Sequence, residues 1–524
     1  MPNSDSSDEG TTWLSIKPIK GPKSLKNICC SAVALYTAHY KSLQDISKEL
    51  RENLPLDVRI RLLRSIEKES DLPTPGWVAN FILLQILSDI PHITLSSACA
   101  EGNLLFLDPY ECDWITSGIK HISTRNIKTL NLEGICLQSG TLTKILNLTE
   151  TLQILHVSGD AASEALQYLG RPPGCKVPLQ SLSLTSCSVT DLDVIQGLLG
   201  VDHDINALGA IILTGNNENN IIVEGLQSLR YLTICSPLLT VSGSMVLVKF
   251  LPHLIELQYS SWNSNVSDTL LFLQELPDQC RQYELRTLEV FRVTSTSLEK
   301  YISICPNLNN LFIELPDTNL NTMQPLNKLK NLSSLTFRLV PEYLMLSAVE
   351  HVGSKLTKLV IEHELYTYEP ISWFFIKAID KYCPYLEHLV IRNGCIEDYS
   401  DDVNSNTVFS YLKTLKLVDM IIEPENLQSF LIGNTSLENL ELGTNSDGLT
   451  DLVVLEVLRK NSFDSLSHIR LSSGLITENS VSCLLNLPKL QKILIDIKGF
   501  PSINRTHVKD YFENGDIQCK VEYV

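Results

Sequence analysis

An α/β solenoid is what this sequence predicts: a parallel sheet on the concave face of a horseshoe, helices outside it, and a small all-helical module in front. Three observations predict it. The first is a short pattern, apolar-x-x-apolar-x-apolar, that begins at Ile127/Leu130/Leu132 and ends, in its fifteenth copy, at Leu490/Ile493/Ile495. The second is its spacing of about 26 residues, a period at which units too small to fold alone can stack and share one core. The third is composition. The chain is 44% hydrophobic and 19% charged, which describes a folded protein, yet 524 residues is long for one globular core.

Each repeat then follows from strand geometry. Side chains alternate along a strand, so places four and six of the motif share a face. The fullest copy runs from Leu179 to Leu199: Leu179, Leu182 and Leu184 make the strand, and Leu192 to Leu199 reads as the returning helix. Cys187 takes the ninth place, where a side chain bonds the turn backbone, and Asn216 and Asn445 hold that place in their own copies. The fourth copy, Leu208/Ile211/Leu213, is expected to supply a rung like the others. Period and motif together are those of leucine-rich repeats, expected over 127–500, with 501–524 as a C-terminal cap.

Ahead of the repeats the pattern changes. Residues 1–20 open polar and acidic without periodicity, and a disordered tail is expected there. Gly21-Pro22 punctuates the chain and Ser24 is placed to cap a helix whose Leu25, Cys29, Val33 and Tyr36 share one face. Further amphipathic segments follow at Leu43–Leu50, at Val58/Leu62/Ile66 and at Trp77–Leu87, so 21–88 is expected to be a helical module. Residues 89–126 form a junction in which Ile90/Ile93/Leu95 predicts a capping strand, since a solenoid must cover the ends of its core.

The string Ser24-Leu25-Lys26-Asn27-Ile28-Cys29-Cys30-Ser31-Ala32-Val33 resembles the elongin-binding box: a small residue, Leu, three residues, Cys, three residues and an aliphatic. Leu54-Pro55-Leu56-Asp57-Val58 with Leu62 is similar to the cullin-2 box, and Asp57 stands where the related box of another cullin prefers a second Pro. Together they resemble the von Hippel–Lindau box of substrate receptors in elongin–cullin ubiquitin ligases, several of which carry leucine-rich repeats after it. The resemblance implies elongin B/elongin C as partners through Ser24, Leu25, Cys29 and Val33. It implies cullin-2 through Leu54, Pro55, Val58 and Leu62, and a protein substrate on the repeats. An F-box is the rival reading, since LPLDVRIRLLRSI fits its first half. The Val-Cys…Trp region that should follow is absent, and EKESDLPTPGW stands in its place. A protein-binding scaffold without ligase partners is the third reading.

Composition excludes other classes. A net charge of −18 argues against nucleic acid or an anionic membrane surface as a general partner. The longest apolar run, around Phe81–Leu87, is too short to span a bilayer. No basic-then-apolar segment opens the chain, and its fourteen cysteines show no zinc spacing. That usage fits a reducing compartment, so cytoplasmic and/or nuclear placement is expected. There is no phosphate-cradling loop, no G-x-S-x-G and no H-E-x-x-H. No catalytic residue, metal or cofactor is expected.

Places three, five and seven should face the hollow. Repeats six to eight put Glu256, Glu289 and Glu314 there beside Phe291 and Phe312. Later repeats contribute Arg338, Lys358, Arg392, Lys416, Arg470 and Lys492, with His388 and His468, diluted by Glu362, Glu441 and Asp496. The expectation is a discontinuous basic band that grips an acidic or phosphorylated target, with Phe291 and Phe312 as an apolar anchor.

Overall fold

The structure, a computed structural model, describes residues 91–94, parts of 105–116, 127–495 with breaks, and 520–523; the longer breaks are 170–176, 200–225, 261–281 apart from Leu270, 315–322, 365–368 and 398–408. The expected tail 1–20, the helical module 21–88 with both boxes, the motif Leu208/Ile211/Leu213, and Asn216, Asn445 and Asp496 lie outside the described residues.

Among the described residues sixteen strands follow one another in chain order, six in one sheet and ten along another, each parallel to the strands it pairs with. The first six are β1 (His92–Thr94), β2 (Thr129–Leu132), β3 (Ile154–Ser158), β4 (Ser181–Thr185), β5 (Tyr231–Cys235) and β6 (Glu256–Ser260). Ten more continue as β7 (Thr287–Phe291), β8 (Asn310–Glu314), β9 (Ser334–Arg338), β10 (Lys358–Glu362) and β11 (His388–Arg392). The series ends with β12 (Thr414–Ile422), β13 (Asn439–Thr444), β14 (His468–Ser473), β15 (Lys492–Ile495) and β16 (Lys520–Tyr523). Register is kept motif to motif: Leu335 opposes Leu359, Leu359 opposes Leu389, and Leu389 opposes Leu415. This is an α/β leucine-rich-repeat solenoid.

Two backbone ladders tie one repeat to the next. The carbonyl at motif place two accepts the N–H groups of places two and three of the following copy; Lys128 O takes them from Gln153 and Ile154, and Ser333 O from Thr357 and Lys358. Between β6 and β7, where the sheet divides, Arg286 N–H still donates to Ile255 O at 2.8 Å. At place eight the chain must turn off the strand, and six copies do so with a left-handed residue: Gly134, Gly159, Ser186, Leu339, Asn393 and Asp419, at φ from 45 to 77. That turn aims the place-eight N–H at the next strand, as in Leu339 donating to Glu362 O at 3.1 Å and Asn393 to Val418 O at 3.0 Å. Only two of the six are glycine, so the ladder outweighs a left-handed penalty of about 1–2 kcal/mol at the rest.

The core lies between strands and helices. Among the described residues, places one, four and six are shut away from solvent, as with Leu412, Leu415 and Leu417 at 0% exposure. The outer helices, among them Asp191–Leu199, Glu342–Val352, Trp373–Tyr382, Pro424–Gly433 and Asp451–Lys460, close it from the other side. Aromatic rings fill the wider part: Trp373 meets Phe430 edge-on at 5.2 Å, and Phe409 stacks on Phe430 at 6.4 Å. Cys187 does bond the turn, its Sγ donating to Cys235 O at 3.4 Å.

β4 pairs directly with β5, Ser181 with Tyr231 and Leu182 with Leu232. Strands also flank the motif copies at both ends. At the start β1, around the expected Ile93, pairs with β2; at the finish β16 pairs with β15, although 520–523 carries no copy of the motif.

Candidate partner-binding surface

Strand alternation sends places three, five and seven to the concave side, and register sorts them into columns running across the strands. The place-three column reads Lys358, His388, Thr414, Asn439, His468, Lys492 and Lys520 from β10 to β16. No carboxylate occurs in it. In the place-five and place-seven columns, by contrast, each cation has an acid directly across from it.

Four of the six cations expected in the basic band are therefore engaged with the sheet's own carboxylates. Arg338 lies 3.3 Å from Glu314, and Arg392 donates to Glu362 at 2.9 Å. Glu441 is held from both sides, by Lys416 at 2.8 Å and Arg470 at 3.5 Å. Along place seven the order Glu314, Arg338, Glu362, Arg392 makes an alternating ladder rather than a run of one sign. Exposed pairs of this kind are worth at most about 1 kcal/mol each, but they do fix where the guanidinium groups point.

The structure brings Lys416, Arg470 and Lys492 together around one shallow depression of about 220 Å³, whose wall also includes Thr414, Asn439, Glu441 and His468 and the apolar Leu440, Ile469 and Leu494. Lys358 lies along the same column farther back, and Arg338 and Arg392 belong to the ladder on the other margin. Sequence reading passed over Thr414 and Asn439, which are uncharged. Their signal is positional, since both stand at place three.

Phe291 and Phe312 are adjacent, with ring centroids 6.0 Å apart and planes tilted by 45°. Their surroundings are acidic: Glu289 opposes Phe312 across the strands, and Glu314 opposes Phe291. Desolvation raises the Glu289 carboxyl above its ordinary value, and the charges of Glu256 and Glu314 push it the same way.

Burial pushes the Cys305 and Cys383 thiols up to about 12, which removes their thiolate form near neutral pH. Among the described residues no cluster of three His, Cys, Asp or Glu side chains could hold a metal ion, and no helix is long and apolar enough to cross a membrane.

No protein-family model matches the chain, and no curated protein matches it. Among solved structures it is similar to a chain in the crystal structure of the Rad7 and Elc1 complex in yeast, at 16% identity over 63% of this chain and 91% of that one, with a TM-score of 0.36. It is similar to an internalin from Listeria monocytogenes at 15% identity over 74% and 88%, with a TM-score of 0.34. An LRR protein of Leptospira interrogans matches at 16% identity over 76% and 95%, with a TM-score of 0.35. Likenesses this distant carry no argument about partners; the solenoid stands on its own register and ladders.

Proposed function

We propose that this chain is the substrate-recognition subunit of an elongin BC–cullin-2 ubiquitin ligase, holding target proteins on the concave face. One observation carries the reading: the order of the elongin-type box at Ser24–Val33, the Leu54-Pro55 segment with Val58 and Leu62, and then a leucine-rich-repeat solenoid. In this reading the N-terminal module docks on the ligase core, and no residue of the chain performs chemistry. The inner surface supports the second half of the assignment, since one column of donors and cations runs across six strands, from Lys358 to Lys492, without a carboxylate. Such an assembly works in the cytoplasm or nucleus.

The test is purification of the tagged full chain from cells. Elongins B and C in near-stoichiometric amount support the reading. A Skp-type adaptor with its own cullin establishes the F-box alternative, for which LPLDVRIRLLRSI is the favouring sequence. Neither set of partners leaves a protein-binding scaffold.

A further inference from the structure

The inner surface carries two kinds of cation, and column register separates them. Arg338, Arg392, Lys416 and Arg470 each face a glutamate on the next strand at 2.8–3.5 Å. For any of them to grip a ligand, that glutamate must be released, so an incoming carboxylate merely replaces one already in place. Such an exchange gains little.

In the place-three column, Lys358 offers the opposite situation. Lys358, exposed on β10, has Ser334 on one side and His388 on the other, and no ion pair reaches it among the described residues. Beyond His388 come Thr414, Asn439 and His468, and every one of these side chains can donate a hydrogen bond. The nearest inner-surface acid, Glu441, is already clamped by Lys416 and Arg470. Of the two carboxylates on the rim beside the column, Glu387 is held by Lys413 at 3.0 Å and Glu438 is exposed.

We propose that an extended anionic segment of the target lies along this column from Lys358 to Lys492, and that the paired arginines and Lys416 are clasps of the sheet rather than readers of the ligand. This rests on the reading of the concave face as the substrate-binding face. Geometry sets the length of the segment. Five strand steps of about 4.8 Å make roughly 24 Å, the span of about seven extended residues at ~3.4 Å each. Crossing the strands at right angles, such a segment meets a new donor every step. Beside Thr414, Asn439 and His468 the column borders the depression of about 220 Å³, whose wall also holds Glu441 in its pairs with Lys416 and Arg470. The anion is a carboxylate or a phosphate on a peptide; both accept from ammonium, imidazole, hydroxyl and amide donors alike.

The experiment is fluorescence anisotropy on the full chain with three labelled seven-residue peptides: all-glutamate, alternating phosphoserine and glycine, and an uncharged glutamine control. The expected result is binding of at least one anionic peptide and none of the control, with the tighter of the two identifying the group. Lys358→Ala combined with His468→Ala should weaken binding at least tenfold, while Arg338→Ala combined with Arg392→Ala should change it less than threefold. All four positions are on the surface, and a circular-dichroism melt of each double variant checks that the fold is kept. If the arginine pair costs tenfold and the column pair costs nothing, the assignment of roles is overturned, but the anion-binding face stands. If neither anionic peptide binds the unaltered chain, both fall. Co-purification of elongins is independent of either result.

Discussion

At Glu289 desolvation raises the carboxyl above its ordinary value, and the like charges of Glu256 and Glu314 add to that effect. Its folded value is raised, so its ionisation works against the folded state. The stability it contributes is complete below the ordinary glutamate value of about 4.3 and is lost as pH rises through the raised folded value. Glu289→Gln should therefore stabilise the solenoid at pH 7 by about 0.2–1 kcal/mol, the scale of a like-charged cross-strand pair. At pH 3 it should change nothing. A lower melting temperature for the variant at pH 7 would mean that Glu289 has a favourable partner instead. A second residue bears on assembly. Leu25 matches the leucine of the elongin box, and fully burying a leucine is worth about 1.5–3 kcal/mol. Leu25→Ser should weaken elongin C binding by roughly ten- to a hundredfold or more, measured by titration of the purified proteins. Retained elongin affinity with a lost repeat fold would make that helix a cap on the solenoid.

At the scale of elements, helices are joined through their N-termini. Asp451 opens one helix and accepts from the Thr477 N–H at 2.8 Å and the Thr477 hydroxyl at 2.7 Å, the residue that caps the next. Glu342 does the same for Ser372, accepting its N–H at 2.7 Å. Burial alone would raise the Asp451 carboxyl, but hydrogen bonds from Ser480 and Thr477 outweigh it and hold it below the ordinary value. A lowered folded value means stability that is present above the ordinary aspartate value and lost as pH falls through the folded one. Asp451→Asn should cost about 1 kcal/mol at pH 7, as capping losses do, and the gap should close near pH 3; a chemical-denaturation midpoint at each pH measures it. An equal gap at both would take the carboxylate charge out of the clasp. Such clasps were not legible in the sequence, because the two partners sit 26 or 30 residues apart with no pattern between them. The strands were legible, because three apolar places recur at fixed spacing and burial demands them. The charge columns were half legible. Places facing the hollow could be read from alternation, but Glu314 and Arg338, or Glu362 and Arg392, are 24 and 30 residues apart, and only register shows that they cancel.

For the whole molecule, a solenoid has a consequence for how its functions divide. Each repeat touches its sequence neighbours, so perturbations stay local and distant changes add. The place-three column begins at Lys358, while the proposed cullin segment ends at Leu62, and no shared side chains are expected between them. Cullin choice should therefore reside in Leu54–Leu62 and be separable from both elongin binding and target capture. Pro55→Ala with Val58→Asp removes the rigid start of the segment and puts a charge where an aliphatic is expected. In a pull-down of the full chain, this variant should recover less than a tenth of the cullin-2 that the unaltered chain recovers. Elongins B and C should stay at unaltered levels, and the anionic peptides should bind within twofold of the unaltered chain. Lys358→Ala with His468→Ala should give the mirror image, with cullin-2 retained and peptide lost. If the Pro55 and Val58 changes release elongin C as well, the two boxes act as one surface and the division drawn between them is wrong. If cullin-2 recovery is untouched while elongins remain, cullin contact lies outside Leu54–Leu62, and the resemblance to a cullin-2 box at those residues has no functional content.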